Sequence, residues 1–461
     1  MKNRFSILLV ALALLFVASA VVGCSSGNSA KSTIARRTFT ATNNPATREN
    51  VAATTSRTSV ATTTSSTTTT TAAKSTEPIK IGVLQATAGP LAPYGNAFLA
   101  GAKAAVQMIN DAGGINGVQV TFVTGTGDGT AKTAVAEAER LINTEKVLGI
   151  VGPTSTAEFL ACTEPAEKYK VPFIASCADQ TVFAKGYRFI FSPAPSATVQ
   201  GAGEADFINW LAKNNGVKIS SIAVVTAALG VKPYTDAMMP RLTELGYTNI
   251  VVNEDLTAGV TDMNPVVLKL KTANPDVVVY NGTAADGILF QKALLANNYN
   301  PLLVSAGSSF GSAARDALGA DAKGLLTRPN VFTVGASIVT DAYTTVPTLS
   351  SFQAIVEKVT PGVKYDKAMA AAGGQEALML LKAIADSGSR NSEEIAAAIR
   401  QLDIKNPSPY LVFADQYPEL KMGETGMPLL STLSGAQWDD TMTFLQTVWP
   451  PSKASTKPRL K

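Results

Sequence analysis

Apolar and polar positions divide the chain into three regimes. Residues 5–22 are apolar almost without interruption, and residues 25–77 show no apolar period. From Ile79 onward, short β-rich runs alternate with segments whose apolar residues recur every three or four positions. The runs at 79–84, 118–124, 147–151, 171–175, 219–226, 250–253, 276–280 and 302–305 read as strands. Helices are expected near 97–110, 131–143, 156–169, 198–214, 234–245, 262–273 and 285–297. In the first of these Phe98, Ala102, Val106 and Ile109 share one face, and Gly113-Gly114 supplies the stop. Such alternation implies α/β architecture with parallel sheets covered by helices on both faces. The 383 residues after residue 78 exceed what one such layer holds, so two lobes are expected. Ligands of open α/β sheets lie beyond the carboxyl ends of the strands, which directs attention to the loops there.

Composition narrows the chemistry. The 461 residues are 46% hydrophobic and 16% charged, as in compact globular protein. Of 39 basic and 35 acidic side chains, eight basic and two acidic ones (Glu49, Glu77) fall in residues 1–78, leaving the remainder slightly acidic. The basic balance therefore belongs to the N-terminal region, and nucleic acid is not an expected partner. Histidine is absent, which removes Ser-His-Asp and Cys-His nucleophiles, His-based metal sites and a histidine pH switch. Cysteines at 24, 162 and 177 form no C-x-x-C pair, so no metal site, cofactor or catalytic residue is expected.

Lys2 and Arg4 ahead of the apolar run form the n-region and h-region of a secretory signal, although the length alone also permits a short anchor. Val21-Val22-Gly23-Cys24 resembles the lipobox of bacterial lipoproteins. That resemblance implies cleavage after residue 23, acylation of Cys24, and a protein held on the extracytoplasmic side of the cell membrane by its acyl chains. Residues 24–78 are rich in Ser and Thr and read as a disordered tether, spanning roughly 40 Å as a flexible coil.

The folded body carries a second resemblance. Ile79-Lys80-Ile81-Gly82, Gly89-Pro90-Leu91-Ala92-Pro93-Tyr94-Gly95, Gly101, Ile109-Asn110 and Gly113-Gly114-Ile115-Asn116-Gly117 resemble the opening of type I solute-binding proteins of the branched-chain amino acid class, the receptors of ABC importers. Ile150-Val151-Gly152-Pro153-Thr154-Ser155-Thr156, Val171-Pro172-Phe173-Ile174, Thr261-Asp262-Met263 and Asn274-Pro275-Asp276-Val277-Val278 continue it in order. The resemblance implies two doubly wound lobes joined by three crossovers, near Ser192-Pro193, near Arg328-Pro329 and after about residue 420. Lobe 1 is then 79–193 with 330–420, lobe 2 is 194–329 with 421–450, and 451–461 is a basic tail.

Carried over residue by residue, the first-lobe pocket of that family falls on Tyr94, on Ser155 with Thr156, and on Cys177, Ala178 and Asp179. The residues alone agree for the second set, because a strand-to-helix loop with two hydroxyls presents N–H and O–H donors to a carboxylate or amide oxygen; Thr156 as a helix N-cap is the competing role. In the second lobe Leu229 stands at a family tyrosine position, and Gly282-Thr283-Ala284 and Ala306-Gly307-Ser308 replace the usual tyrosine and acid. Thr283 and Asp286 are the candidates there, Asp179 or Asp286 supplying negative charge unless each caps a helix. Cys162 falls on the helix after the Gly152 loop and Cys177 just past the adjacent strand, and a disulfide between them is expected, with free buried thiols as the alternative.

Two motifs are decoys. Gly307-Ser308-Ser309-Phe310-Gly311 fits G-x-S-x-G without a histidine to serve it, and Gly125-Thr126-Gly127-Asp128-Gly129 reads as a turn, since no G-K-[ST] follows. The expected function is non-catalytic: capture of a small solute and delivery to ABC permease subunits. The alternatives are a ligand-sensing lipoprotein signalling to a membrane kinase and, less favoured, a carboxylate-based cell-wall hydrolase.

Overall fold

The computed structural model describes residues 76–461 apart from 228–231, 258–259, 307–308, 336–346, 364, 413–418, 430, 432 and 444. The leader, Cys24 and the tether, together with Leu229 and Gly307-Ser308, lie outside the described residues. Two parallel sheets form the body. The first joins β1 (Ile79–Ala86), β2 (Val120–Gly127), β3 (Ile150–Val151), β4 (Phe173–Ile174) and β5 (Ile190–Phe191) in the order β2-β1-β3-β4-β5. Helices α1 (Ala92–Asp111), α2 (Ala131–Asn143), α3 (Thr156–Tyr169) and α4 (Gln180–Phe183) connect the strands.

The second sheet contains β6 (Ile222–Thr226), β7 (Ile250–Asp255), β8 (Val277–Asn281), β9 (Leu303–Ala306) and β10 (Val331–Gly335), all parallel, with the helices α5 (Ala197–Asn214), α6 (Lys232–Glu244), α7 (Asn264–Ala273), α8 (Ala284–Ala296), α9 (Ser312–Leu318) and α10 (Ala322–Leu326). Two antiparallel strands, β13 (Ser434–Trp438) and β14 (Leu445–Trp449), extend it beyond β10. Read from the opposite edge, its parallel part runs β7-β6-β8-β9-β10, the same winding as the first sheet. Each sheet therefore reverses direction beside its first strand, at β1/β3 and at β6/β8, and each reversal opens a crevice at the strand ends.

The chain returns to the first core with α11 (Pro347–Val359), α12 (Lys367–Ser387), α13 (Ser392–Arg400) and a hairpin of β11 (Asp403–Lys405) and β12 (Glu419–Lys421). Helix α12 packs chiefly on α1, at a distance only glycine permits: a Cβ on Gly101 would stand 1.7 Å from the Ala370 carbonyl oxygen, and one on Gly373 2.2 Å from that of Phe98.

One boundary differs from expectation. Val331–Gly335 pairs with β9, so the second crossing follows Gly335 and not Arg328-Pro329; the β-rich run 331–335 continues the second sheet before the chain leaves it. Met422 and Met427 belong to the first core while β13 belongs to the second sheet, so the third crossing lies between Met427 and Ser434. The basic tail is docked. Arg459 exchanges hydrogen bonds with the Gln437 side chain at 2.6 and 3.2 Å, the Lys461 N–H donates to Asn330 Oδ1 at 2.8 Å, and Leu460 packs on the second core. Among the described residues no helix is long and apolar enough to cross a membrane.

Candidate functional site

The two crevices face one cavity of about 260 Å³. From the first lobe come Leu91, Tyr94 and Phe98 at the start of α1, Thr154 and Ser155 after β3, Ser176 and Ala178 after β4, and Met369 and Ala372 of α12; from the second come Ala194, Gln200, Tyr234 and Gly335. A wider groove of about 1100 Å³ also meets Tyr94 and continues outward between Arg315 and Lys323 on one side and Glu357 and Asp366 on the other.

Local chemistry fixes the polar wall. The Thr154 hydroxyl donates to Gln85 Oε1 and accepts the Ala86 N–H, both at 2.8 Å, tying the ends of β1 and β3 together. Ser155 is the N-cap of α3: its hydroxyl accepts the Glu158 N–H at 3.3 Å and donates to Glu158 Oε2 at 2.9 Å, while its own N–H reaches the same oxygen at 3.1 Å. Thr156 is thus the first helical residue and not the cap, and it lies outside the cavity lining among the described residues. Gly152 has φ +103°, and a Cβ there would stand 1.9 Å from the Leu84 carbonyl oxygen, so only glycine lets this loop cross the end of β1 so closely.

The strand-end loop after β4 is held from behind. The Ser176 N–H donates to Glu376 Oε1 at 2.6 Å, the Cys177 N–H donates to Ser192 Oγ at 3.1 Å, and the Ala178 carbonyl accepts from Ala197 at 2.9 Å. Asp179 caps α4 by accepting the Thr181 N–H and hydroxyl at 3.0 and 2.7 Å, so its carboxylate serves the helix. Cys177 is buried one residue behind the lining.

In the second lobe Thr283 and Asp286 form a reciprocal capping box on α8: Asp286 Oδ2 accepts the Thr283 hydroxyl at 2.7 Å, and neither residue lines the cavity among the described residues. The structure places Tyr234 and Gln200 there, next to each other, and sequence reasoning missed both. The signal existed. Pro93-Tyr94 and Pro233-Tyr234 occupy the second and third positions of α1 and α6, the helices that follow the reversal-point strands of their sheets. Burial pushes the Tyr234 phenol up to about 12 and raises that of Tyr94, where Asp366 adds to the effect. Both tyrosines are neutral donors at physiological pH.

The expected disulfide is corrected: Cys162 and Cys177 are free and buried. Cys177 faces Thr156 at the first turn of α3, whereas Cys162 lies six residues further along that helix, about 9 Å at 1.5 Å per residue. A disulfide needs Cβ atoms within about 4.5 Å of each other. Burial pushes the thiols up to about 12 and about 11, which leaves them protonated and inert. The glycine-rich stretch at 125 ends β2, and Asp128 beyond it accepts from Thr130 and Thr133 at 2.7 to 2.9 Å, an anion where a phosphate cradle would present N–H groups. Among the described residues no cluster of His, Cys, Asp and Glu could hold a metal ion.

The family model described as periplasmic binding protein matches residues 78–434. The chain belongs to the periplasmic binding protein family. It is 24% identical over 415 residues, 84% of this chain and 95% of the relative, to a Leu/Ile/Val-binding protein homolog 7 of Brucella suis. The branched-chain amino acid transporter substrate binding protein LivJ of Streptococcus pneumoniae, solved with isoleucine, superposes with a TM-score of 0.66 at 20% identity, covering 81% of this chain and all of that one. A solute binding protein of an ABC transporter from R. palustris, solved with 4-hydroxybenzoate, superposes with a TM-score of 0.66 at 19% identity over 83% of this chain and 98% of that one. In a periplasmic binding protein the two wound sheets are the two lobes, and membership sets the protein's work outside the cytoplasm. These relatives are named as binding proteins and not as enzymes.

Proposed function

We propose that the protein is the lipid-anchored substrate-binding subunit of an ABC importer, enclosing a small amphipathic solute that bears a carboxylate or amide. The observation that carries this reading is the cavity at both reversal points, with hydroxyls of Thr154, Ser155 and Ser176 on one wall and Tyr234 with Gln200 on the other. Leu91, Phe98 and Met369 supply an apolar floor for the body of the solute, the division of labour usual in small-molecule sites. Tyr94, Ser155 and Ala178 are its first-lobe contacts in this reading, and Thr156, Cys177 and Asp179 support them from behind. Branched-chain amino acids and hydroxybenzoates, the ligands named for the two structural neighbours, define the range to screen. Closing two rigid lobes on the solute needs no bond chemistry, so the protein acts as a carrier and not as an enzyme.

A thermal-shift screen of L-leucine, L-isoleucine, benzoate, 4-hydroxybenzoate and aliphatic amides tests the binding role. A solute at 100 times its Kd stabilises the folded state by about 2.7 kcal/mol, and a panel in which nothing moves the transition overturns the assignment. The anchor is tested separately: Cys24→Ser removes the thiol that acylation requires and should release folded protein from membranes. Full retention of that variant after a carbonate wash would refute lipidation.

A further inference from the structure

Glu376 and Glu204 are both fully enclosed, at 0% and 1% exposure, in a chain where neither forms an ion pair among the described residues. Their placements match. Glu376 is one helical turn beyond Ala372 on α12, and Glu204 one turn beyond Gln200 on α5; Ala372 and Gln200 both line the cavity. Helix α12 packs on α1 and α5 packs on α6, the two helices that carry Tyr94 and Tyr234. Each carboxyl reaches the end of a sheet strand. Glu376 Oε1 accepts the Ser176 N–H at 2.6 Å beyond β4. Glu204 Oε2 accepts from Asn281 Nδ2 at 3.0 Å at the end of β8, and Asn281 Oδ1 in turn accepts the Ala306 N–H at 3.1 Å, at the end of β9.

We propose that Glu376 and Glu204 are positioning residues, one in each lobe: Glu376 fixes the Ser176–Ala178 segment of the cleft wall, and Glu204, one turn from the cavity-lining Gln200, ties the ends of β8 and β9 together behind the opposite wall. The role rests on the cleft being the binding site. Both groups act in the neutral form, because burial pushes each up to about 8. Burial is the largest influence on each; opposing it are the Ser176 hydrogen bonds at Glu376 and the Asn281 bond at Glu204, and no cation contributes. Among the titratable groups on the surrounding elements, Tyr94 of α1, Tyr234 of α6, and Cys162 and Cys177 on α3 and the β4 loop are raised above their ordinary values and stay neutral between pH 6 and 9; the buried Glu158 carboxyl of α3 is engaged in the Ser155 capping box. Once ionised, Glu376 has a buried Oε2 without a partner, and such an oxygen must draw in water. Ser176 both bonds Glu376 and lines the cavity, so water drawn in from the cavity loosens that wall on ionisation.

Amide hydrogen exchange on the full folded chain decides this without any ligand, so a failed solute screen would sink the binding reading and leave this test intact. Glu376→Leu should accelerate exchange in the peptide spanning Ser176–Ala178 at least tenfold at pH 7, and Glu204→Leu should do the same at Ala306, with β1 unchanged. Glu376→Gln keeps the acceptor and carries no charge. It should match the native protein at pH 7 and exchange more slowly than it at Ser176 at pH 9, since only the native side chain ionises. If Glu376→Leu leaves Ser176 protected, or if the native and Gln forms keep equal protection through pH 9, Glu376 does not position the wall. Should the Leu variants fail to fold, the comparison of native and Gln forms across pH decides alone.

Discussion

Ser155 shows how one side chain serves fold and cleft together. Its hydroxyl closes the capping box with Glu158 while the same residue lines the cavity. Thr156, its neighbour, is the first residue of α3 and faces Cys177. The two positions should therefore separate under substitution. Ser155→Ala removes the cap and should cost about 1 kcal/mol of stability; it also removes a hydroxyl worth about 0.5–1.5 kcal/mol to a bound oxygen. Thr156→Ala should leave affinity nearly unchanged. Urea denaturation and calorimetric titration with the solute found by screening measure both. Equal losses of affinity in the two variants would show that the loop acts as a unit and that the individual contacts inferred for Ser155 are wrong.

At the scale of elements, the strands and helices from β1 to β9 other than α4 and β5 were legible because apolar period and glycine stops agree there with the tertiary packing; α4 and β5, of four and two residues, are too short to show a period. The capping box at Ser155 was half visible: the hydroxyl pair pointed to the loop, but which of two adjacent residues caps α3 depends on one peptide's φ and ψ, and no composition rule decides that. The second sheet was harder to read. Its β13 strand, Ser434–Trp438, carries Ser, Gly and Gln on a fully buried element, so alternation is lost and its pairing with β10 is antiparallel. Tyr234 was missed because attention followed the family's tyrosine position at Leu229; the dipeptide Pro233-Tyr234, repeating Pro93-Tyr94, was present in the sequence all along. The cysteine pair misled for a geometric reason, since placing one thiol on α3 and the other past β4 says nothing of how far along α3 Cys162 lies.

For the whole molecule, the enclosed glutamates set a pH dependence that crosses both lobes. In the unfolded chain each carboxyl titrates near 4.5, whereas in the folded protein each is pushed up to about 8 by burial. Between those values the folded state holds protons that the unfolded state has released. The slope of stability with pH follows protons bound in the unfolded state minus those bound in the folded state, so it is negative in this window. Each group at full effect contributes about 1.4 kcal/mol per pH unit. Asp128 acts in the opposite sense: hydrogen bonds from Thr130 and Thr133 hold its carboxyl below the usual carboxylate range, so its contribution is present at neutral pH and is lost as pH falls through that lowered value. Stability should thus be greatest near pH 5 and decline toward pH 8 by on the order of 7 kcal/mol for the two groups together. Chemical denaturation at pH 5.5 and 7.5 measures the difference. The double variant Glu204→Gln with Glu376→Gln replaces both titrating groups by neutral amides of the same shape and should flatten the slope. A native protein equally stable at the two pH values would mean that both carboxyls are hydrated and ionised in solution, and that burial does not hold them neutral.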